Sequence, residues 1–321
     1  MAKQKQPQRP ARPVSRPLTR QTLHELASWA QQFAHLPLEL ARMIIAVTAR
    51  LNVASNAAWV ARSLALVCRE FRAVVEPILL ETMRITATNA DFFRYKDPWQ
   101  LDRFTKRTKR LVVDGPPFMA FNLHFFAAVQ EFKGRPRHLD MFVRACGSRF
   151  QPRVVTIQNA AFMSDLEDST WNALQTLECT THLHMQECTP QHLMHLRNNL
   201  PPGVRYLVLD PSGHNSTSVE ELVALVYTFL DESAPSSIER LLVRTPYLSD
   251  ERRTALVHAL GTLAAATGER RLCVDDELLL VRAKHGPVRQ RIADEEARVS
   301  LWFTGHPLYT ESDSSFPAVV S

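Results

Sequence analysis

The sequence lacks the features that define several common functional classes. It has only nine glycines in 321 residues and no G-x-G-x-x-G or G-x-x-x-x-G-K-[ST] pattern, which argues against the usual nucleotide-binding turns. It also lacks the G-x-S-x-G motif of serine hydrolases. The zinc-binding motif H-E-x-x-H is absent too, because no second histidine follows His24 and Glu25 at the required spacing. No enzyme motif is present, so we expect a non-catalytic protein that needs no cofactor.

Long apolar runs are also missing. No uninterrupted apolar stretch approaches the roughly 18 residues that span a bilayer, and the first residues lack the apolar stretch of a signal peptide. The five cysteines are odd in number and lie mostly in apolar patterns, which is typical of buried thiols. These absences predict an intracellular protein, cytoplasmic or nuclear, that has no membrane partner.

The net charge of +5 comes from the first twenty residues. This segment is rich in Pro, Gln and Arg and contains six cations and no acid, so the rest of the chain carries a formal charge of −1. Such a composition cannot form a core, and we expect residues 1–20 to be a disordered tail. The tail is either a nuclear-import or phosphate-binding arm or a solubilising terminus, and both interpretations stay open. We rank nucleic acid last among the partners.

Two apolar stripes at helical spacing follow. They consist of Leu36, Leu40, Met43 and Ile44, and of Leu64, Val67, Phe71 and Val74. The first stripe predicts a helix started by a proline, and the two together predict two or three short helices over residues 36–85. We expect a linker helix over residues 21–35 to precede them.

These residues carry a family resemblance. The pattern Leu36-Pro37-x-Glu39-Leu40 with Ile44, followed by Leu64, Val67-Cys68-Arg69 and Phe71-Arg72, resembles the F-box over about fifty residues. The resemblance implies a helical module that binds the Skp-type adaptor of a cullin-RING (SCF) ubiquitin ligase, while the downstream segment captures a target protein. The adaptor-binding residues that it implies are Leu36, Pro37, Glu39, Leu40, Ile44, Leu64, Val67, Cys68 and Phe71.

The same helices have an alternative role. They would form an ordinary hairpin, or the N-terminal cap of a scaffold made of repeats, and bind no adaptor. The two roles differ in exposure. An adaptor-binding module leaves an apolar patch of several hundred Å² on the free protein, whereas a cap buries that patch within its own chain.

Downstream, one short fragment recurs, in which two leucine-like residues flank any residue. Its apolar pairs are Met83/Ile85, Leu111/Val113, Val155/Ile157, Leu183/Met185, Leu207/Leu209, Leu241/Val243 and Leu272/Val274. Helical patterns separate the fragments, and this alternation predicts parallel strands joined by right-handed crossovers. The irregular but recurrent spacing predicts a solenoid with variable insertions, and the L-x-L-x-x-C/N core, with Cys188 at the cysteine position, resembles divergent leucine-rich repeats. The resemblance implies an α/β horseshoe over residues 86–303, and we expect a disordered tail over residues 304–321.

The helices between the fragments have recognisable ends. Ser218 and Glu221 form a capping box at the start of one helix, and a second helix begins near Asp250 and ends at Gly268. A third follows Thr189-Pro190. A doubly wound sheet is the competing architecture, but its strands would be continuously apolar, whereas these strands alternate with polar residues. We therefore expect one face of the sheet to stay exposed to water.

The strand register predicts which side chains lie on that exposed face, because successive residues point to opposite sides of a sheet. They are Arg110, Asp114, Thr156, Gln158, His182, His184, Gln186, Tyr206, Asp210, Arg240, Arg244, Arg271 and Asp275. Their mixed chemistry favours an unknown target protein or peptide as the partner of this concave face. A solvated surface without a partner is the alternative.

One cluster contains the residue types that bind zinc. Its members are Cys179, His182, His184 and Cys188, with His192 and His195 on the following helix. The register places His182 and His184 outward and Cys188 inward, so their side chains do not converge on one ion. We therefore expect no metal.

Overall fold

The computed structural model describes residues 36–90, 102, 106–114, 126, 128–158, 168–212, 218–231, 238–275, 279–283, 286–290, 302 and 305–309. The predicted tail over residues 1–20 and the predicted linker helix over residues 21–35 lie outside these ranges. None of the helices in the described ranges combines the length and the apolar character that crossing a bilayer requires.

The first described unit is a helical hairpin, as the two stripes predict. Helix α1 (Leu38–Trp59) begins directly after Pro37, and a π-helical turn (Val60–Leu64) leads to helix α2 (Arg69–Glu81). A kink interrupts α1 at Asn56, whose side-chain oxygen accepts a hydrogen bond from the Trp59 N–H at 3.2 Å. The helices pack through a small core that consists of Ala49, Val53, Val60, Ala65, Val75 and Ile78.

A nine-stranded sheet follows the hairpin without a linker, since strand β1 begins at the residue after Glu81. Its strands are β1 (Thr82–Ile85), β2 (Arg110–Val113), β3 (Glu131–Gly134), β4 (Val154–Ile157), β5 (His182–Cys188), β6 (Tyr206–Pro211), β7 (Arg240–Arg244), β8 (Leu272–Asp275) and β11 (His306–Pro307). Strands β1 to β8 are neighbours in chain order, and each pair is parallel. The prediction of parallel strands is therefore confirmed.

Strand β3 was not predicted, because it carries only one large apolar residue. Phe132 pairs with Leu111 on one side and with Val155 on the other, but Gly134 stands where the second apolar residue is expected. The Phe132 ring fills that position, since a Cβ atom on Gly134 would lie 2.8 Å from the ring. The long interval between the predicted second and third strands thus contains a complete strand.

The helices that follow the strands lie on one face of the sheet. They are α3 (Pro136–Cys146), α4 (Asp168–Gln175), α5 (Pro190–Asn198), α6 (Val219–Tyr227) and α7 (Asp250–Thr267). The predicted ends of three helices are confirmed: Thr189 and Ser218 cap α5 and α6, and Gly268 ends α7 with a positive φ of 67°. The sequence patterns did not predict α3 and α4.

The main core lies between these helices and the side of the sheet that they cover. The register that predicts polar residues on one face also predicts that the apolar pairs point to the other, and these side chains are buried in the main core: Leu111, Val113, Leu183, Met185, Leu207, Leu209, Leu241 and Val243. Four phenylalanines extend the core beneath β3, with ring centroids 5.5–5.9 Å apart. Aromatic rings in such edge-to-face and stacked pairs contribute more than their buried area alone.

The C-terminal end of the chain corrects one predicted boundary. We expected a disordered tail from residue 304, but β11 pairs antiparallel with β8, and Leu308 and Tyr309 pack against the main core. Residues 310–321 lie outside the described ranges. A separate antiparallel pair, β9 (Leu279–Ala283) and β10 (Gly286–Gln290), lies between β8 and β11 in the chain.

Alanine substitutions at two glycines should change the free energy of unfolding in opposite directions. In Gly203→Ala the new Cβ would lie 2.7 Å from the Glu178 carbonyl oxygen, so the backbone must shift, and we expect a loss of about 1–3 kcal/mol in unfolding free energy. In the control Gly261→Ala the new Cβ meets nothing within 4 Å inside α7, and we expect a gain of about 0.5–1 kcal/mol. Urea unfolding measures both values, and equal effects would contradict the packing at Gly203.

Candidate binding surfaces

Helix α1 presents a stripe of large apolar side chains to solvent. Leu40, Met43, Ile44 and Val47 recur at helical spacing and are 44–56% exposed. A helix normally turns such a stripe toward a core. Here the opposite side of α1 supplies the hairpin core, and it does so with the smaller residues Ala49 and Val53.

The turn before α2 adds two exposed apolar side chains. Leu66 is 70% exposed and Val67 is 63% exposed. This turn and α1 belong to one packed unit, because Ala65, the residue before Leu66, lies in the same small core as Ala49 and Val53. We call the surface formed by Leu40, Met43, Ile44, Val47, Leu66 and Val67 the apolar face.

The structure places most of the predicted adaptor-binding residues on or beside this face. Pro37, Glu39, Leu40, Ile44, Val67 and Cys68 are exposed, whereas Leu36, Leu64 and Phe71 are half-buried. Leu64 packs against the hairpin core. The residues that the family motif did not supply are Met43, Val47 and Leu66. Continuing the helical spacing beyond Ile44 finds Val47, and Met43 already belongs to the first stripe.

Cys68 has a structural task at the edge of the apolar face. It is the N-cap of α2, and its Sγ accepts a hydrogen bond from the Phe71 N–H at 3.4 Å. A backbone hydrogen bond and a side-chain hydrogen bond with Cys68 hold the pKa of Glu70 below its ordinary value. A negative charge in the first turn also stabilises the helix. Cys68 therefore fixes the start of α2 next to Val67.

The second candidate surface is the sheet face opposite the helices, which we call the polar face. The predicted target-binding residues lie along this face or at its edge, except that the Arg271 guanidinium reaches Glu269 and the carbonyl oxygen of Leu230, a residue of the main core. Nine of them are half-buried, namely Arg110, Asp114, Thr156, Gln158, His182, Gln186, Tyr206, Arg240 and Arg271. The other four are buried, namely His184, Asp210, Arg244 and Asp275. The prediction that these four are exposed is wrong.

Their burial has two causes. The first is a second apolar cluster on this face, which consists of Val208, Leu242, Cys273 and Trp302. The last strands thus have apolar residues on both faces, a signal that was readable in YLVLD, RLLVR and RLCVD. Trp302, which lies far along the chain, had no such signal, and its ring approaches His184 with centroids 6.5 Å apart.

The second cause is an ionic network. His184 Nε2 lies 2.9 Å from Asp210 Oδ2, and Arg244 Nε lies 3.7 Å from Asp210 Oδ1. Burial alone would raise the pKa of Asp210, but the charge of Arg244 and the contact with His184 outweigh it and hold this pKa below its ordinary value of 3.8. Asp210 is therefore ionised at neutral pH and links three neighbouring strands.

The start of β5 and β6 carries a stacked pair of rings that stays partly accessible. His182 and Tyr206 lie with their centroids 4.5 Å apart and their planes at 10°. Trp302 meets the His182 ring edge-on at 4.8 Å. Burial and the nearby charge of Arg153 lower the pKa of His182 below its ordinary value of 6.5. The ring is therefore neutral at physiological pH.

The residues of the zinc-like cluster serve other contacts. Cys188 is buried in the main core, as predicted, and its thiol donates to the Asp210 carbonyl oxygen at 3.4 Å. His192 caps α5, where its Nδ1 accepts a hydrogen bond from the Thr189 N–H, and His195 stacks on Trp171. Within the described ranges no group of three or more His, Cys, Asp or Glu side chains is arranged to hold a metal ion.

Comparison with known proteins adds no assignment to this geometry. The sequence matches no protein-family model and no curated protein sequence.

The Asp210 network predicts a pH-dependent contribution to stability. In Asp210→Asn the buried Arg244 loses a negative neighbour, and we expect the unfolding free energy to fall by about 2–3 kcal/mol at pH 7. Because the folded-state pKa is lowered, this contribution is complete above about pH 4 and is lost as the pH falls through the folded-state pKa. Urea unfolding at several pH values measures it.

The control is Asp140→Asn, which removes a surface pair with Arg144 on α3. We expect a change of less than about 0.5 kcal/mol at any pH. A loss for Asp210→Asn that is as small as the control at pH 7, or that persists unchanged in acid, would contradict the network.

Proposed function

We propose that this protein is a substrate-recognition subunit of an SCF-type (cullin-RING) ubiquitin ligase. Its hairpin binds a Skp-type adaptor through the apolar face, and its sheet presents a target protein. The sheet acts as an irregular horseshoe similar to leucine-rich repeats. The subunit performs no covalent chemistry, and it works inside the cell, in the cytoplasm or the nucleus.

The observation that carries the proposal is the exposure of the apolar face. Single exposed apolar residues are ordinary, but contiguous patches of several hundred Å² mark interaction sites. Nine of the ten large apolar side chains that are exposed in the described ranges belong to residues 38–67. A partner that binds the hairpin would therefore find most of the exposed apolar side chains of the described ranges within one unit.

The F-box resemblance supplies the identity of that partner. The motif residues Pro37, Leu40, Ile44 and Val67 are exposed on or beside the apolar face, where an adaptor can reach them. A docking area of about 1,600 Å² in total is the standard size for a specific complex. The hairpin, which is 44 residues long between Leu38 and Glu81, would supply one side of that area.

The connection between hairpin and sheet suits a receptor subunit. Helix α2 ends at Glu81 and β1 begins at Thr82, so no flexible linker separates the two binding surfaces. The Lys109 ammonium reaches the Glu81 carboxylate at 2.8 Å and ties the end of α2 to the neighbouring chain segment. A target bound to the sheet would therefore be held at a fixed position relative to the adaptor.

The same continuity favours a second candidate, in which the protein is a scaffold outside any ligase and the hairpin is only an N-terminal cap of the sheet. The exposure of Met43 and Ile44 argues against it, because a cap has a polar outer surface. We therefore prefer the adaptor-binding function.

Adaptor binding tests the proposal. Ile44→Glu places a charge in the centre of the apolar face, and we expect it to weaken binding of a purified Skp-type adaptor by about 2–3 kcal/mol. Because Ile44 is half exposed, thermal stability should stay almost unchanged. Met194→Glu is the matched control, since Met194 is equally exposed on helix α5. Isothermal titration calorimetry of the full-length protein gives the affinities.

A second variant replaces both Leu36 and Pro37 by alanine and tests the start of the motif. We expect weaker adaptor binding by a folded protein. Adaptor affinity that is the same in all variants, or a folded protein that does not bind the adaptor at all, would overturn the proposal.

A further inference from the structure

The sheet carries a patch of cations and aromatic rings where strands β4 to β7 begin. It consists of Arg153, His182, Arg205, Tyr206 and Arg240, and we call it the edge patch. Val154 pairs with His182, His182 pairs with Tyr206, and Tyr206 pairs with Arg240. The parallel register therefore brings together residues that lie far apart in the sequence.

The aromatic part of the edge patch is rigid. His182 and Tyr206 stack in parallel, and the edge of Trp302 supports the His182 ring. The His182 Nδ1 atom also lies 2.8 Å from the Thr181 hydroxyl. Both stacked rings are half-buried, so part of each ring contacts solvent. A flat aromatic surface with one wet side is typical of protein-binding sites.

The charged part is positive. Arg153 is exposed and forms no ion pair with a carboxylate in the described ranges. Cations outnumber carboxylates where strands β4 to β8 begin: the cations are Arg153, Arg205, Arg240, Arg270 and Arg271, and the carboxylates are Glu178, Glu239 and Glu269. Arg205 and Arg271 already pair with Glu239 and Glu269, and the remaining positive charge of this edge favours a negatively charged partner.

The protein already places one carboxylate in this environment. Glu239 lies 3.2 Å from Arg205 Nη1, and its hydrogen bond with the Tyr206 hydroxyl raises the pKa of that tyrosine. The Arg205 guanidinium and the Tyr206 hydroxyl thus bind the same carboxylate. Arg153 lies on the other side of the stacked rings. Its guanidinium group is not paired with a carboxylate of the described ranges, unlike that of Arg205.

We propose that the edge patch binds an extended, Asp- and Glu-rich segment of the target protein. A carboxylate of the segment pairs with Arg153, and an apolar side chain nearby lies on the His182–Tyr206 stack. Neighbouring strands are about 4.8 Å apart, so the distance from β4 to β6 matches roughly three residues of an extended peptide. This inference rests on the proposed function, in which the sheet captures the target.

Peptide binding to the full-length protein tests the inference. The probe is a fluorescently labelled peptide of repeated Glu-Gly-Phe triplets, and its controls contain Gln or Lys in place of Glu. Fluorescence anisotropy should show at least about tenfold tighter binding of the Glu peptide than of either control, and added salt should reduce the difference. Arg153→Glu should weaken binding of the Glu peptide by about tenfold, and Arg153→Gln by less.

Arg137→Glu is the matched control, because Arg137 is an exposed arginine on helix α3, which packs on the opposite face of the sheet. Its affinity for the Glu peptide should stay within about twofold of the unchanged protein. Thermal unfolding of each variant verifies that it is folded. Equal binding of the Glu and Gln peptides, no binding of the Glu peptide, or an affinity unaffected by either Arg153 variant would overturn the inference.

The same samples separate this inference from the proposed function. If the folded protein binds the adaptor but not the Glu peptide, the edge-patch assignment fails and the adaptor assignment stands. If it binds the Glu peptide with the expected dependence on Arg153 but not the adaptor, the edge patch stands and the ligase assignment fails.

Discussion

One apolar row on the sheet determines the rest of the structure. It runs across eight parallel strands through Met83, Leu111, Phe132, Val155, Leu183, Leu207, Leu241 and Leu272, and each of these side chains is buried. A shift of one residue in any strand would turn its apolar side chains to the other face, so burial fixes the register. All strand beginnings therefore lie on one edge, which is how Arg153 comes to lie near Arg205.

The two faces of the sheet serve different purposes. Helices α3 to α7 cover one face and form the main core. The other face changes along the sheet. Arg84 on β1 and Asp114 after β2 form a partly exposed ion pair, whereas Asp210 on β6 is buried in its network. Only part of the polar face is therefore open to a partner. The hairpin is different again, since its large apolar residues remain outside its own core.

The sequence predicted what depends on neighbours in the chain. Local signals of this kind are the apolar pairs within one strand, such as Leu207 and Leu209, and the helix caps at Ser218 and Gly268. The structure confirms them. Strand β3 escaped because a ring from Phe132 replaces the missing side chain of a glycine, which only packing reveals. The exposure of Asp210 was mispredicted because its burial depends on contacts across three strands and on chain segments remote in sequence.

The central claim is that the apolar face is open in the free protein and is covered by an adaptor in the complex. Hydrogen–deuterium exchange of the full-length protein, with and without a Skp-type adaptor, tests it most directly. Adaptor binding at the apolar face should slow exchange in peptides from residues 38–51 and 64–71 and leave exchange in β4 to β7 unchanged. Slower exchange in the strands with no change in the hairpin would contradict it.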